Sequence, residues 1–315
     1  MNLSRAPGPR ALAAAVCLGL VLVWAGSPAA RAQAQPPFIW KATSPQGIVW
    51  LFGTIHVPDA RVLTLHPTVA AAFAESARVL TEIPLDAGAQ AATAGALLLP
   101  GDQRLRDRVG AARFARLETT VRSALLPRTP LLAPVLVGML DRLRPWAAMA
   151  QLATLEYLPD LLQGRVSLDA RLYADAEAAG KQVGGLETVQ EQAAVFDAFS
   201  EDEQIALLDA ALTQVETPDP SMTGAGLVAL YLRGNADGLT AALAHGPDDA
   251  ALARKFRHHV LVARNQRMAA RIDALRREHP GEVQFVAVGT LHLVGPDNLP
   301  QLLAVRGYDI ARVGP

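Results

Sequence analysis

The chain has one cysteine, Cys17, and it falls in the apolar stretch near the amino terminus. Beyond that stretch there is no thiol, which excludes a disulfide framework, a cysteine nucleophile and cysteine metal ligands. Aromatic residues are scarce, at 5%, and no platform for stacking sugars or bases stands out. Neither sign of charge dominates: the formal net charge is −1, so nothing in it draws nucleic acid or an anionic membrane, and no nucleic-acid partner is expected. Three common catalytic signatures are also absent: a Gly-x-Ser-x-Gly elbow, His-Glu-x-x-His, and a Gly-rich phosphate loop ending in Lys-Ser/Thr. The 315 residues are ample for a buried core, and hydrophobic residues make up 51% of them, a globular composition.

What is present begins with a leader. Arg5 and Arg10 form a basic start, residues 11–24 an apolar run, and residues 27–34 a small-residue zone. This pattern predicts a signal peptide over 1–34, cleaved near Ala32 or Ala34, and hence a periplasmic or secreted protein. The apolar run is short for a transmembrane span, so no stable span is expected once the leader is removed.

The mature chain says one phrase twice. Residues 48–57 read IVWLFGTIHV and residues 284–293 read QFVAVGTLHL. Each is a strand-forming run, then Gly-Thr, one aliphatic residue and a histidine. Glycine at a strand end permits a sharp turn and close backbone approach, and α/β proteins carry their chemistry outside the carboxyl ends of strands. His56 and His292 are therefore expected to share a site.

Around the first copy the pattern predicts strands at 38–41 and 48–52, a helix from Pro67 and a strand at 78–83. The result is a β–α–β unit that implies a parallel pair. From about 86 to 165 the chain reads as a helical insertion punctuated by prolines. Helix 168–179, strand 182–186 and a capping-box helix from Thr188 follow. Residues 254–278 read as one long helix with Leu261, Asn265, Met268, Ile272 and Leu275 on one stripe. A final helix at 299–305 and a strand at 308–313 complete the chain. The expected fold is α/β: one domain over 35–315, its parallel or mixed central sheet formed by both ends of the mature chain, with helices around it.

Glu82 ends the strand of the first unit, level with the first Gly-Thr-x-His, and is the acidic partner best placed by position. Glu187 ends another strand and reads equally as structural or functional, whereas Glu191 is more simply the return arm of a capping box. Asn265 is either a packed amide or a site residue; Arg264 either orients a carboxylate or a substrate oxyanion, or is solvated. His66, His245, His258, His259 and His279 read as surface residues. Imidazole with carboxylate suits Mn²⁺, Co²⁺ or Zn²⁺, and His56, Glu82 and His292 are the candidate ligands for such a divalent metal. The chemistry that follows is metal-assisted hydrolysis of a peptide or small molecule. The alternative readings are a non-catalytic binding protein for a peptide, haem or other small ligand, and an accessory factor in envelope polysaccharide production.

Taken together, LFGTIHV at 51–57, Glu82, GLET at 185–188 with Glu191-Gln192, Arg264-Asn265-x-x-Met268-Ala269 and FVAVGTLHLVG at 285–295 resemble the TraB/PrgY/GumN family. The resemblance is to its GumN-like bacterial branch and runs from about Trp40 to Val313. It implies an α/β fold related to the haem-binding ChaN and erythromycin-esterase group. It also implies kinship with the Tiki metalloproteases, which depend on Mn²⁺ or Co²⁺. Carried over, His56 and His292 would be metal or catalytic residues and Glu82 their acid partner, with Arg264 and Asn265 completing the pocket. One position departs: relatives often carry an acid just before the Arg-Asn pair, where this chain has Ala263.

Overall fold

In the computed structural model, residues 38–313 are described apart from 128, 244–246 and 248. The expected signal peptide and its cleavage site lie outside the described residues, as does His245. Six strands form one mixed sheet: β1 (Ile39–Ser44), β2 (Gly47–Thr54), β3 (Arg78–Thr81), β4 (Gln182–Gly185), β5 (Gln284–Gly289) and β6 (Asp309–Arg312). Their order is β4-β3-β5-β2-β1-β6. Five of the six come from the two ends of the described chain, as the α/β reading expects. The central strands β2 and β5 are apolar without alternation, the mark of strands covered on both faces. Val49, Leu51, Phe285, Val286, Ala287 and Val288 are wholly buried.

One expected pairing is corrected. β2 and β3 run in the same direction, joined by the helix Pro67–Glu75, but they are not neighbours. β5 lies between them and pairs in parallel with both, Leu51↔Val286 on one side and Leu80↔Val286 on the other. The second copy of the phrase thus enters from the far end of the sequence and takes the centre of the sheet. From Phe285 to Val288 its side chains are apolar and wholly buried, as a strand covered on both faces requires.

A second apolar cluster lies outside the sheet. Leu105, Leu117, Val121, Leu140 and Leu152 of the helical middle pack with Ile205, Leu208 and Leu212 of the helix Glu201–Glu216. The helix expected over 254–278 is also corrected. Two α-helical pieces, Ala250–Arg257 and Ala263–Glu278, are joined by a π-helical turn, His258–Val262. The wider turn inserts an extra residue into the helical count, a local distortion common near functional sites. It directly precedes Arg264 and Asn265, both of which are buried. Near the far end of that helix the fully buried Arg276 donates to the carbonyls of Gln46, His279 and Glu282, tying the β1–β2 turn to the helix end and to the segment that enters β5. Among the described residues, no helix is long and apolar enough to cross a membrane.

Candidate functional site

Four parallel strands deliver one group each to the same sheet edge. His56 follows β2 by two residues, Glu82 directly follows β3, Glu187 follows β4 by two, and His292 closes a 3₁₀ turn, Thr290–His292, after β5. The β3–β4 ladder runs on past both strand ends, with Leu186 N–H donating to the Thr81 carbonyl and Glu187 N–H to that of Glu82 at 2.7 Å. That extension sets the two glutamates side by side.

The twin phrases touch directly. A Cβ on Gly53 would stand 2.8 Å from Thr290 Oγ1, so only glycine allows the approach. Thr290 Oγ1 donates to the Thr54 carbonyl at 2.8 Å. Thr54 Oγ1 in turn donates to Asp169, and Tyr231 O–H donates to the Gly53 carbonyl at 2.8 Å. The threonines of the two phrases therefore fix the distance between the histidines that follow them.

Both imidazoles are held by Nδ1 and present Nε2 to one carboxylate oxygen. His56 Nδ1 lies 2.7 Å from Asp169 Oδ2, and its Nε2 3.3 Å from Glu82 Oε1. His292 Nδ1 lies 2.6 Å from Asn265 Oδ1, and its Nε2 3.6 Å from the same Glu82 Oε1. The Asn265 amide donates through Nδ2 to the Asp297 carbonyl, which leaves Oδ1 as acceptor. His292 Nδ1 therefore carries the hydrogen, and Nε2 keeps its lone pair.

The two imidazoles differ in charge. The Asp169 carboxylate, helped by Glu82 and opposed by burial, holds His56 well above its ordinary value; its side chain is 58% exposed, so water moderates that pull. Burial, reinforced by Arg264 and His56 and opposed by Glu82, pushes His292 down to about 4. Burial would raise Glu82, but His292, His56 and Arg264 outweigh it and leave the carboxyl well below its ordinary range.

Arg264 is buried between two carboxylates. Its Nη2 lies 2.6 Å from Glu82 Oε2, and its Nε donates to Glu187 Oε2 at 2.8 Å. Arg267 takes the other oxygen of Glu187 at 2.9 Å. Arg264 is thus a packed orienting group and not a solvated one, and Glu187 holds both arginines. Ala263 makes no acidic contribution beside them.

The donors present fit a divalent cation of the Mn, Co or Zn kind: two imidazole Nε2 atoms and one carboxylate oxygen, with both Nδ1 atoms already held by oxygens. Room between them comes from Gly289, where a Cβ would stand 3.1 Å from Glu82 Oε1 and 3.2 Å from His56 Nε2. Among the described residues, no group of three or more His, Cys, Asp or Glu side chains is spaced as a metal cage. Glu82 is drawn against the imidazoles, and its oxygens also accept from Gly289 N–H at 2.8 Å and from Arg264.

Two clefts open on this centre, and His56, Glu82 and Arg264 line both. The first, about 480 Å³, is walled by Leu85, Leu97, Trp146, Ala193 and Phe196. The second, about 320 Å³, is walled by Met222, Leu227, Leu239, Val260 and Leu261.

All six expected site residues, His56, Glu82, Glu187, Arg264, Asn265 and His292, lie in this one network. Glu191 forms its capping box with Thr188. His66 caps the helix Pro67–Glu75, His258 is exposed, and His259 packs edge-on to Phe199. Asp169 was not foreseen. It sits in the first turn of the helix Leu168–Ala178, where a carboxylate already has a reason to be. The available signal was its spacing: it shares a face with Leu172, Tyr173 and Ala176, all buried.

The profile of the TraB/PrgY/gumN family matches residues 38–312. Among curated proteins, the chain is similar to "Metalloprotease TIKI1" of Danio rerio, 28% identical over 83% of this chain and 60% of the relative. It is similar also to "Metalloprotease TIKI2" of Danio rerio, 26% identical over 88% and 61%. A "Metalloprotease TIKI homolog" of Nematostella vectensis is 25% identical over 88% and 67%. The chain thus spans about 60% of the length of the first two relatives. No solved structure matches it. With the profile covering nearly all the described residues and both histidine phrases, the chain belongs to the TraB/PrgY/gumN family.

Proposed function

We propose that this protein is a metal-dependent hydrolase acting on peptides, with His56, His292 and Glu82 as the ligands of a divalent cation, Mn²⁺, Co²⁺ or Zn²⁺. The observation that carries the reading is the convergence of two imidazole Nε2 atoms on Glu82 Oε1, each ring oriented from behind by an oxygen on Nδ1. The relatives named metalloproteases support it. The basic start, apolar run and small-residue zone of residues 1–34 support export to the periplasm or beyond.

A cation held there supplies Lewis acidity toward a substrate carbonyl and toward water. The chain's own residues do the rest. Asp169 and Asn265 fix which nitrogen of each ring faces the centre. Arg264 holds Glu82 in place and offers a positive charge where a carbonyl oxygen gains negative charge. Glu82, held well below its ordinary range, serves as an anion and not as a proton carrier. Glu187 has both oxygens on arginines, so it positions Arg264.

The test is hydrolysis of a fluorescent peptide mixture by the mature protein after chelation and metal return. Loss of turnover on chelation, with recovery in Mn²⁺ or Co²⁺, is expected in the wild type and not in His56→Ala or His292→Ala. Turnover indifferent to chelation, or none in the metal-loaded wild type, contradicts it. One observation favours a second reading, a non-catalytic binding protein: both Glu82 oxygens already have partners within the chain.

A further inference from the structure

The two clefts differ in their walls but share their floor. The first is built from the helices Ala87–Leu97, Pro145–Ala153 and Val189–Asp197. One of its walls is Trp146 stacked on Phe196, ring centroids 4.4 Å apart and planes 3° from parallel. The second is built from the helices Gly224–Leu232 and Ala236–Leu243 and the π-helical turn. Charged and imidazole side chains line either cleft only at the centre: His56, Glu82 and Arg264 in both, Asp169, which holds His56, in the first, and the neutral His292 in the second. A charged side chain in either cleft would lose its hydration without a dedicated partner. An apolar one would gain burial.

We infer that these clefts are paired specificity pockets for a linear peptide bearing an uncharged, apolar side chain on each side of one amide bond, with that amide lying over His56, Glu82 and Arg264. This deepens the proposed function and rests on its placing of the substrate at this centre. The geometry of an extended peptide suits two clefts that share a floor: successive side chains point to opposite sides, so two neighbouring residues enter different clefts. The charged floor argues against a lipid chain, which would have to cross His56, Glu82 and Arg264 to occupy both. Trp146 and Phe196 in one pocket, and Met222 and Leu227 in the other, are the specificity-determining side chains.

The test uses the mature protein and fluorescein-labelled Gly/Ser peptides carrying Leu on both sides of a central amide, on one side, or Asp on both. Binding is read by anisotropy, and the recovered peptide is weighed by mass spectrometry in the same sample. The doubly apolar peptide is expected to bind about tenfold or more tighter than either singly apolar one, the Asp peptide weakest. Ala193→Glu, in the first cleft, and Met222→Glu, in the second, lie outside the polar centre at half-buried positions. Each is expected to erase the benefit of one Leu, and not the same one. Equal binding of all wild-type peptides, loss of the same Leu in both variants, or binding of a fluorescent fatty acid in place of the peptides overturns the inference. The wild-type comparison decides even if a variant fails to fold. Selective binding with intact peptide sinks the hydrolase reading alone, whereas cleavage without apolar preference sinks the paired pockets alone.

Discussion

His56 and His292 stand at the ends of near-identical phrases, yet they end up as different chemical groups. His56 is more than half exposed and backed by a carboxylate; His292 is 4% exposed and backed by an amide. The first is held toward the imidazolium form and the second toward the neutral one. A repeated motif fixes where the nitrogen sits, because strand, glycine and threonine set backbone geometry. The protonation of that nitrogen is set by residues outside the motif, Asp169 from a helix start and Asn265 from beyond a π-helical turn. Position is thus encoded locally and electrostatics at long range.

The change that strikes both histidines at once has the largest expected effect. Gly289→Val places a branched side chain among Glu82, His56 and His292, and is expected to lower metal affinity and turnover on the order of a hundredfold or more. Far-ultraviolet circular dichroism should stay near wild type, since the strand itself tolerates valine. Retained metal binding in that variant would contradict the placement of the centre.

Exchanging the backing groups sharpens the comparison further. Asp169→Asn and Asn265→Asp are each expected to cost about ten- to a hundredfold in metal affinity. In the chelated protein, Asn265→Asp should raise the His292 pKa from about 4, and Asp169→Asn should lower that of His56, as read by NMR of the ring nitrogens. Unmoved titrations in both variants would break the account of why the twins differ.

The same contrast gives stability a two-sided pH dependence. His292 is depressed in the folded state, so unfolding takes up a proton there between about 6.5 and about 4, and stability falls as pH falls through that window. His56 is raised, so its contribution is complete below about 6.5 and is lost as pH rises through its folded value. Urea midpoints of the chelated protein should therefore fall on both sides, with His292→Gln flattening the acid limb and His56→Gln the alkaline one. Identical limbs in both variants would show that the imidazoles titrate alike.

The smallest expected effect serves as a control. Ser200→Ala removes the capping box of the helix Glu201–Glu216 and should cost about 1 kcal/mol, with metal binding and turnover unchanged. A large loss of activity there would tie the helical middle to the site more tightly than the contacts indicate.

Much of this was legible because strand ends announce themselves. His56, Glu82, Glu187 and His292 each follow an apolar or Gly-terminated run, and the parallel sheet brings such ends together whatever their separation in sequence. The order of the strands was less legible: nothing local to β2 and β3 says that β5, some two hundred residues away, will part them. Asp169 escaped for a related reason. A carboxylate in a first helical turn is ordinary there, and its link to Thr54 and His56 exists only once helix and sheet have packed. The π-helical turn before Arg264 likewise has no periodic signature; the apolar stripe through Leu261, Met268 and Ile272 reads as an unbroken helix.

The central claim, that the two phrases make one metal centre, is tested most directly by metal content. Wild type, His56→Ala and His292→Ala would be loaded with Mn²⁺, Co²⁺ or Zn²⁺, desalted and analysed by plasma mass spectrometry. Near-stoichiometric metal in the wild type, lost in both variants, is the predicted result. Equal metal in all three proteins would contradict it.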